Sequence, residues 1–332
     1  MMEITVGLMP VVAFLCVLLY LDSYKLVKLT DLLGIVVLGG AVAVISYFLN
    51  GWALDAWDID RQIFSRYIAP LFEEGLKCLI VLVCIRMRRI GFLVDAAIFG
   101  FAVGTGFALV ENIYYLGLLQ EAGIGIWIVR GFGTAIMHGG ATAVFAVMGL
   151  AVLERAEHVN LASLVPGFGL AVLAHSAYNH LAYSPRLSAI VMLVVMPPLL
   201  YFIMRRSELA VGDWLGKGFD ADTEMLELIN SGRLSNSPVG AYIHSLRDKF
   251  HGPVVADIIC YIRLFTELAL RAKGMLLMRE NGFKVQVDEA THAKFAEMRY
   301  LEKSIGRTGL LAIQPMLHMS HKDLWQLYML GK

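Results

Sequence analysis

Charge is scarce in this chain of 332 residues: Asp, Glu, Lys and Arg make up only 17% of it, against 58% hydrophobic residues. With a mean hydropathy of +0.66, that balance falls outside the range of soluble globular domains. The net charge is zero and no dense Lys/Arg stripe appears, which excludes nucleic acid as a partner. Cysteine is equally sparse. Cys16, Cys78, Cys84 and Cys260 are the full set, and no two of them form a metal-ligand spacing, so neither a disulfide framework nor a zinc knuckle is implied. The first apolar run follows Met1-Met2-Glu3 with no basic segment before it and no small-residue cleavage site before Asp22. It reads as a retained anchor rather than a removable signal.

What is present is long apolar runs. Crossing a bilayer takes about 20 mostly apolar residues, and seven stretches qualify: roughly 4–21, 32–50, 67–85, 93–118, 128–153, 161–182 and 187–204. The charged residues divide accordingly, 24 in positions 1–204 and 32 in the remaining 128. The expected fold is therefore all-α: a polytopic membrane bundle of about seven helices over 1–204, followed by a cytoplasmic all-helical domain over 205–332. In that second part Ala256, Ile259, Ile262, Leu264 and Leu268 show helical patterning, and Ser237-Pro238 and Asn281-Gly282 mark breaks. Its Arg247, Arg263, Arg271 and Arg279 lie among acidic residues, as on a solvated face. Assigning loops alternately to two sides puts Lys25, Lys28, Arg86, Arg88, Arg89, Arg155, Arg205 and Arg206 on one and only Arg61, Arg66 and Arg186 on the other. The positive-inside rule then predicts an outside N-terminus and a cytoplasmic C-terminal domain.

Against this apolar background the polar groups inside the runs stand out, because a charge at mid-bilayer costs at least about 2.5 to 3.5 kcal/mol on insertion scales. The third run carries Glu73, Glu74 and Lys77. Glu73 and Lys77 are one turn apart and share a face, while Glu74 points about 100° round the helix, so one carboxylate is neutralised and the other is available as general base or acid. The fourth carries Glu111 and Asn112 after Gly100 and Gly104, a small-xxx-small face for close helix approach. The fifth carries His138, and the sixth His175 and Asn179, again one turn apart. Counting from the span ends at a rise of 1.5 Å per residue, Glu74, Glu111 and His175 each lie about 10 Å below the outer surface, with His138 slightly deeper. Four helices thus bring polar groups to one level, as a single hydrated site requires.

Plainer readings apply elsewhere. Lys25 and Asp95 lie near helix ends, where they snorkel or cap. His180 is off the face shared by His175 and Asn179 and reads as structural. Tyr114, Tyr115, Tyr178 and Tyr183 read as an interfacial aromatic belt.

In combination, Glu73-Glu74-x-x-Lys77, Phe107-x-x-x-Glu111-Asn112, the isolated His138 and His175-x-x-x-Asn179, in that order on successive helices, resemble the PrsW family of intramembrane proteases, itself similar to the wider CAAX-protease and bacteriocin-processing superfamily. The glycine-rich stretch from Asp95 to Phe107 extends the resemblance, which covers roughly 67–182. It implies endopeptidase cleavage of membrane-anchored proteins, anti-sigma factors being the best-known substrate class, in the plasma membrane of a prokaryote. Glu73, Glu74, Glu111, His138, His175 and Asn179 are then the candidate catalytic residues, with Lys77 and Asn112 supporting. Two mechanisms fit them. In one, Glu73 or Glu74 and Glu111, with His138 and His175, supply ligands for a divalent metal such as zinc. In the other, no metal is needed: a glutamate activates water while His175 and Asn179 donate to the oxyanion. Two other classes use the same residues, a proton- or cation-coupled transporter or channel and a noncatalytic signalling scaffold.

Overall fold

The structure is a computed structural model that describes residues 2–119, 121, 123–155, 161–180, 184–283 and 285–317. Ala182 and Tyr183, the end of the sixth expected span and one of the belt tyrosines, lie outside the described residues, as does 318–332 of the expected C-terminal domain. Among the described residues every regular element is helical. The chain forms two compact units that part between Glu208 and Leu209.

The first unit contains α1 (Met2–Tyr20), α2 (Leu29–Trp57), α3 (Ala69–Arg86), α4 (Leu93–Leu118), α5 (Ala135–Arg155), α6 (Val165–His180) and the start of α7 (Pro185–Asn230). Among the described residues, five helices are long and apolar enough to cross a membrane: α1, α2, α4, α7, and α5 together with the turns before it, Ile124–Leu153. The two expected spans that fall short are α3 and α6. The first carries Glu73, Glu74 and Lys77, and the second has 16 residues among those described.

Helix α4 is the axis of the unit. Every residue from Val94 to Ala108 is buried, as expected of a helix apolar all round. Its glycines set the spacing to its neighbours. A Cβ at Gly104 would sit 2.2 Å from the His138 carbonyl oxygen on α5, and one at Gly100 would sit 2.7 Å from Ala143 Cα. The small-xxx-small face thus packs backbone to backbone on α5. At its N-terminus the Asp95 carboxylate accepts the backbone N–H groups of Gly91 (2.7 Å) and Phe92 (2.6 Å), a cap for donors that have no intrahelical partner.

Two departures from the sequence expectation shape the site. Helix α2 runs past the expected end at residue 50 to Trp57, because Ala53 and Leu54 pack with Phe64, just before α3, and with Ala69 and Phe72 at its start; it stops where Asp58 turns left-handed at φ 47°. Two helices also begin with π turns, which apolar periodicity does not reveal. Phe64–Ile68 precedes α3, and Arg130–Thr134 joins the segment Ile124–Val129 to α5. Trp127 in that segment is fully buried against Gly7 of α1.

The second unit contains α8 (Pro238–Ser245), α9 (Gly252–Glu280) and α10 (Glu289–Ile313), packed about Ile258, Tyr261, Ile262, Phe265, Leu268 and Met298. Of the patterned residues, Ile262, Leu264 and Leu268 are buried whereas Ala256 is exposed. Ser237 caps α8 by accepting the Gly240 N–H at 3.1 Å, and α9 ends before Gly282, whose φ of 81° suits glycine. Arg263 pairs with Glu267 and Arg271 with Asp288, exposed ion pairs of the solvated-face kind.

Candidate active site

Helices α3 to α6 converge on one cluster of polar side chains inside the first unit. On α3, Glu74 and Lys77 are completely buried and form an ion pair of 2.6 Å. This corrects the expected pairing of Lys77 with Glu73. Positions three and four apart on a helix are both neighbours, and Glu73 is drawn to the other side, where the Asn50 side-chain amide of α2 donates to its Oε1 at 2.9 Å.

From Lys77 the network continues into α5 and α4. The Lys77 Nζ lies 3.0 Å from His138 Nδ1 and 4.5 Å from the centre of the Phe107 ring. On its other edge His138 meets Glu111 of α4, with Nε2 and Oε2 3.1 Å apart. Because an ammonium only donates, its contact with Nδ1 makes that atom an acceptor and leaves the ring proton on Nε2, directed at Glu111. Glu111 is in turn 3.3 Å from Arg130 Nη2 in the π turn. Arg130 is clamped on three sides: its guanidinium stacks 3.8 Å above the Tyr115 ring, its Nε donates to Asn112 Oδ1 at 2.9 Å, and it faces Glu111. Asn112 passes the linkage to α1 by donating to the Gly7 carbonyl at 2.8 Å.

Helix α6 closes the cluster. His175 Nδ1 lies 2.8 Å from Glu74 Oε1, and its Nε2 lies 3.9 Å from Glu73 Oε2. The His138 and His175 rings stand perpendicular, 4.8 Å between centres. The helix is held against the first π turn by two bonds: Ser176 Oγ donates to the Arg66 carbonyl (2.6 Å) and Asn179 Nδ2 to the Ser65 carbonyl (2.8 Å). A π turn disturbs the i to i−4 ladder, and these side chains take up carbonyls within it. His180 is structural, as its position suggested: Nδ1 meets the Ser176 carbonyl and the ring lies edge-on to Tyr67. Tyr178 departs from the belt reading, being buried with its hydroxyl 3.2 Å from Thr134 Oγ1.

The cluster opens into a cavity of about 1540 Å³ lined by Glu73, Glu111, Arg130, His138, His175 and Asn179 together with aromatic residues including Tyr47, Phe48, Trp52 and Tyr114. Glu74 and Lys77 lie beneath its floor rather than on it. One ligand atom each from Glu73, His138 and His175 lie within 4.8 Å of one another, close enough to share a single ion. Two imidazoles and one carboxylate match the donor set and count of a catalytic zinc site, which keeps its fourth position open. Of the ligands expected from sequence, Glu74 and Glu111 stand outside this triad: Glu74 Oε1 is taken by Lys77 and His175, and Glu111 is held by His138 and Arg130.

Asn50 and Arg130 were not singled out from the sequence. Arg130 had a signal, since it is a charge within the fifth apolar run; Asn50, at the end of the second, had only its polarity.

No curated protein and no solved structure matches the chain. A family model described as PrsW family intramembrane metalloprotease matches residues 23–203, more than half of the chain and every residue that lines the cavity. With that match laid over a buried Glu/His cluster on α3 to α6, the chain belongs to the PrsW family of intramembrane metalloproteases.

Proposed function

We propose that the chain is an endopeptidase that cuts membrane-anchored proteins, anti-sigma-factor-like proteins among them, at the Glu/His cluster, in a prokaryotic plasma membrane. In this reading seven helices span the bilayer, the N-terminus is outside, the cluster lies in the outer half of the membrane, and the second unit is cytoplasmic. The observation that carries it is the convergence of Glu73, His138 and His175 within 4.8 Å at the floor of a polar cavity.

These three residues would hold a divalent ion such as zinc. When bound, it supplies a Lewis acid for the scissile carbonyl and a water whose pKa is lowered to about 7. Glu74 acts through His175: by accepting the Nδ1 proton it fixes the tautomer that leaves Nε2 turned toward Glu73, the carboxylate–histidine arrangement that orients metal-binding imidazoles. Glu111 borders the cavity and serves as general base, its charge balanced by Arg130. Transport and scaffold roles use the same residues but are not favoured by the family.

One contact supports a second, metal-free reading. With Lys77 on Nδ1, His138 carries its proton on Nε2 and donates to Glu111, so ligation through Nε2 requires that proton to leave. A glutamate would then activate water directly, with Asn179 donating to the oxyanion and His175 joining it when the ring carries a proton on Nε2 as well as on Nδ1. One experiment separates the two. Purified protein in liposomes should cut a single-span substrate, contain about one divalent ion per chain, and lose activity to a chelator and regain it with zinc. Full activity after complete metal removal overturns the metal reading, and no cleavage under any metal condition overturns the protease itself.

A further inference from the structure

Buried polar atoms without a hydrogen-bond partner need an explanation, and three of them belong to residues that line the reaction cavity: Ser46 Oγ and Asn50 Oδ1 on α2, and Arg130 Nη2 in the π turn. Ser46 is only 1% exposed. Hydroxyls elsewhere in this unit fold back on the carbonyl four residues earlier, as Thr105 does to Phe101 (2.9 Å) and Thr142 to His138 (3.0 Å); Ser46 makes no such bond. For Asn50 the free end is set by its neighbour. The Glu73 carboxylate can only accept, so it takes the Nδ2 side and leaves Oδ1 unbonded. Arg130 Nη2 faces Glu111 as an ion pair at 3.3 Å but makes no hydrogen bond, while Tyr115 and Asn112 hold the guanidinium in place.

A protease acting inside a membrane faces a specific difficulty. Before a peptide bond can be attacked the substrate helix must open, and each backbone N–H and C=O so released is costly in apolar surroundings unless the enzyme satisfies it. Acceptors and donors that lack a hydrogen-bond partner, on residues in the wall of the reaction cavity, are the groups that such a substrate needs. Their spacing agrees: residues four apart on a helix are offset by about 6 Å along its axis, close to the repeat of about 6.6 to 6.8 Å between alternate residues of an extended chain.

We propose that the α2 wall of the cavity is a cradle for the substrate main chain, in which Ser46 and Asn50 hydrogen-bond an extended stretch of peptide alongside Glu73 and Arg130 donates to one of its carbonyls. The proposal rests on the protease reading above. The ligand class is an unwound, extended segment of a membrane-anchored protein, recognised through its backbone and so with little dependence on side chains at the bonded positions.

The test uses the full chain in lipid nanodiscs and a synthetic peptide with one apolar span of about 20 residues and a glycine-containing outer end. Successive peptide versions replace one backbone amide by an ester, which removes one N–H without changing side chains. Wild-type protein should bind the all-amide peptide about three- to tenfold more tightly than Ser46→Ala does, the range for one hydrogen bond. One ester position should weaken binding to wild type by a similar factor and leave Ser46→Ala unaffected. Equal binding by wild type and Ser46→Ala, an ester scan that affects both proteins alike, or no binding to wild type each overturns the cradle. Because every version leaves the protein itself intact, the scan stays informative even if Ser46→Ala misfolds: the cradle then stands or falls on whether wild type shows an ester-sensitive position. Cleavage of the same peptide is scored separately. Ser46-dependent binding without cleavage removes the protease reading and keeps the cradle, whereas cleavage with no ester-sensitive position removes the cradle alone.

Discussion

Replacing Gly104 by alanine tests whether the spacing of α4 and α5 sets the site. The added methyl would lie 2.2 Å from the His138 carbonyl oxygen and 2.6 Å from Gly139 Cα, both backbone atoms that cannot rotate aside. Comfortable contact needs about 3.5 Å, so the helices must separate by roughly 1 Å. Two consequences follow. Overpacking of this kind costs about 1 to 3 kcal/mol of stability. The shift also carries His138 away from partners now 3.0 and 3.1 Å distant, Lys77 and Glu111, beyond hydrogen-bond length, and a 1 Å misplacement of catalytic groups can lower turnover about 100-fold. Gly34→Ala on α2 is the control, since nothing lies within 4 Å of a Cβ there. Cleavage rate and thermal unfolding in matched detergent give both readouts. Gly104→Ala with wild-type cleavage and wild-type unfolding temperature would refute the claim that this contact positions His138.

Other outcomes follow from single contacts. Glu74→Gln keeps the side-chain shape but loses the charged acceptor for His175 and the partner of Lys77, so metal affinity should drop about 10- to 100-fold, measured as bound zinc after dialysis; unchanged zinc content would remove Glu74 from its orienting role. In the second unit, bonds from the Thr291 hydroxyl and backbone N–H lower the Asp288 pKa from 3.8 to about 2. A depressed folded-state value means that the stabilisation is full above about pH 4 and is lost as pH falls toward 2. Protection of the amides at the start of α10, taken relative to the intrinsic exchange rate at each pH, should therefore fall over that interval in wild type and show no such step in Asp288→Asn.

What could be read from the sequence was whatever repeats or stands against its background. Apolar runs gave the helices, and polar residues within them gave Glu73, Glu74, Glu111, His138 and His175, which the fold gathers into one cluster. Gly100 and Gly104 declared a close helix contact. Side-chain partnership was not legible, because positions three and four apart are both neighbours on a helix: Lys77 pairs with Glu74, while Asn50 holds Glu73. The π turns were invisible for a related reason, since one extra residue in a turn leaves no compositional mark. The length of α2 beyond residue 50 depends on Phe64 and Phe72, distant in sequence from Ala53 and Leu54.

The wide turn at Arg130–Thr134 joins two seats that a regular helix could not serve together. Upstream, Trp127 is locked against Gly7; downstream, His138 is locked against Gly104. Excising one residue between them would swing the indole by about 100° and unseat it while the imidazole kept its place. The surplus residue thus works as a phase adjuster, letting the amino-terminal helix and the reaction centre be indexed independently along one continuous rod.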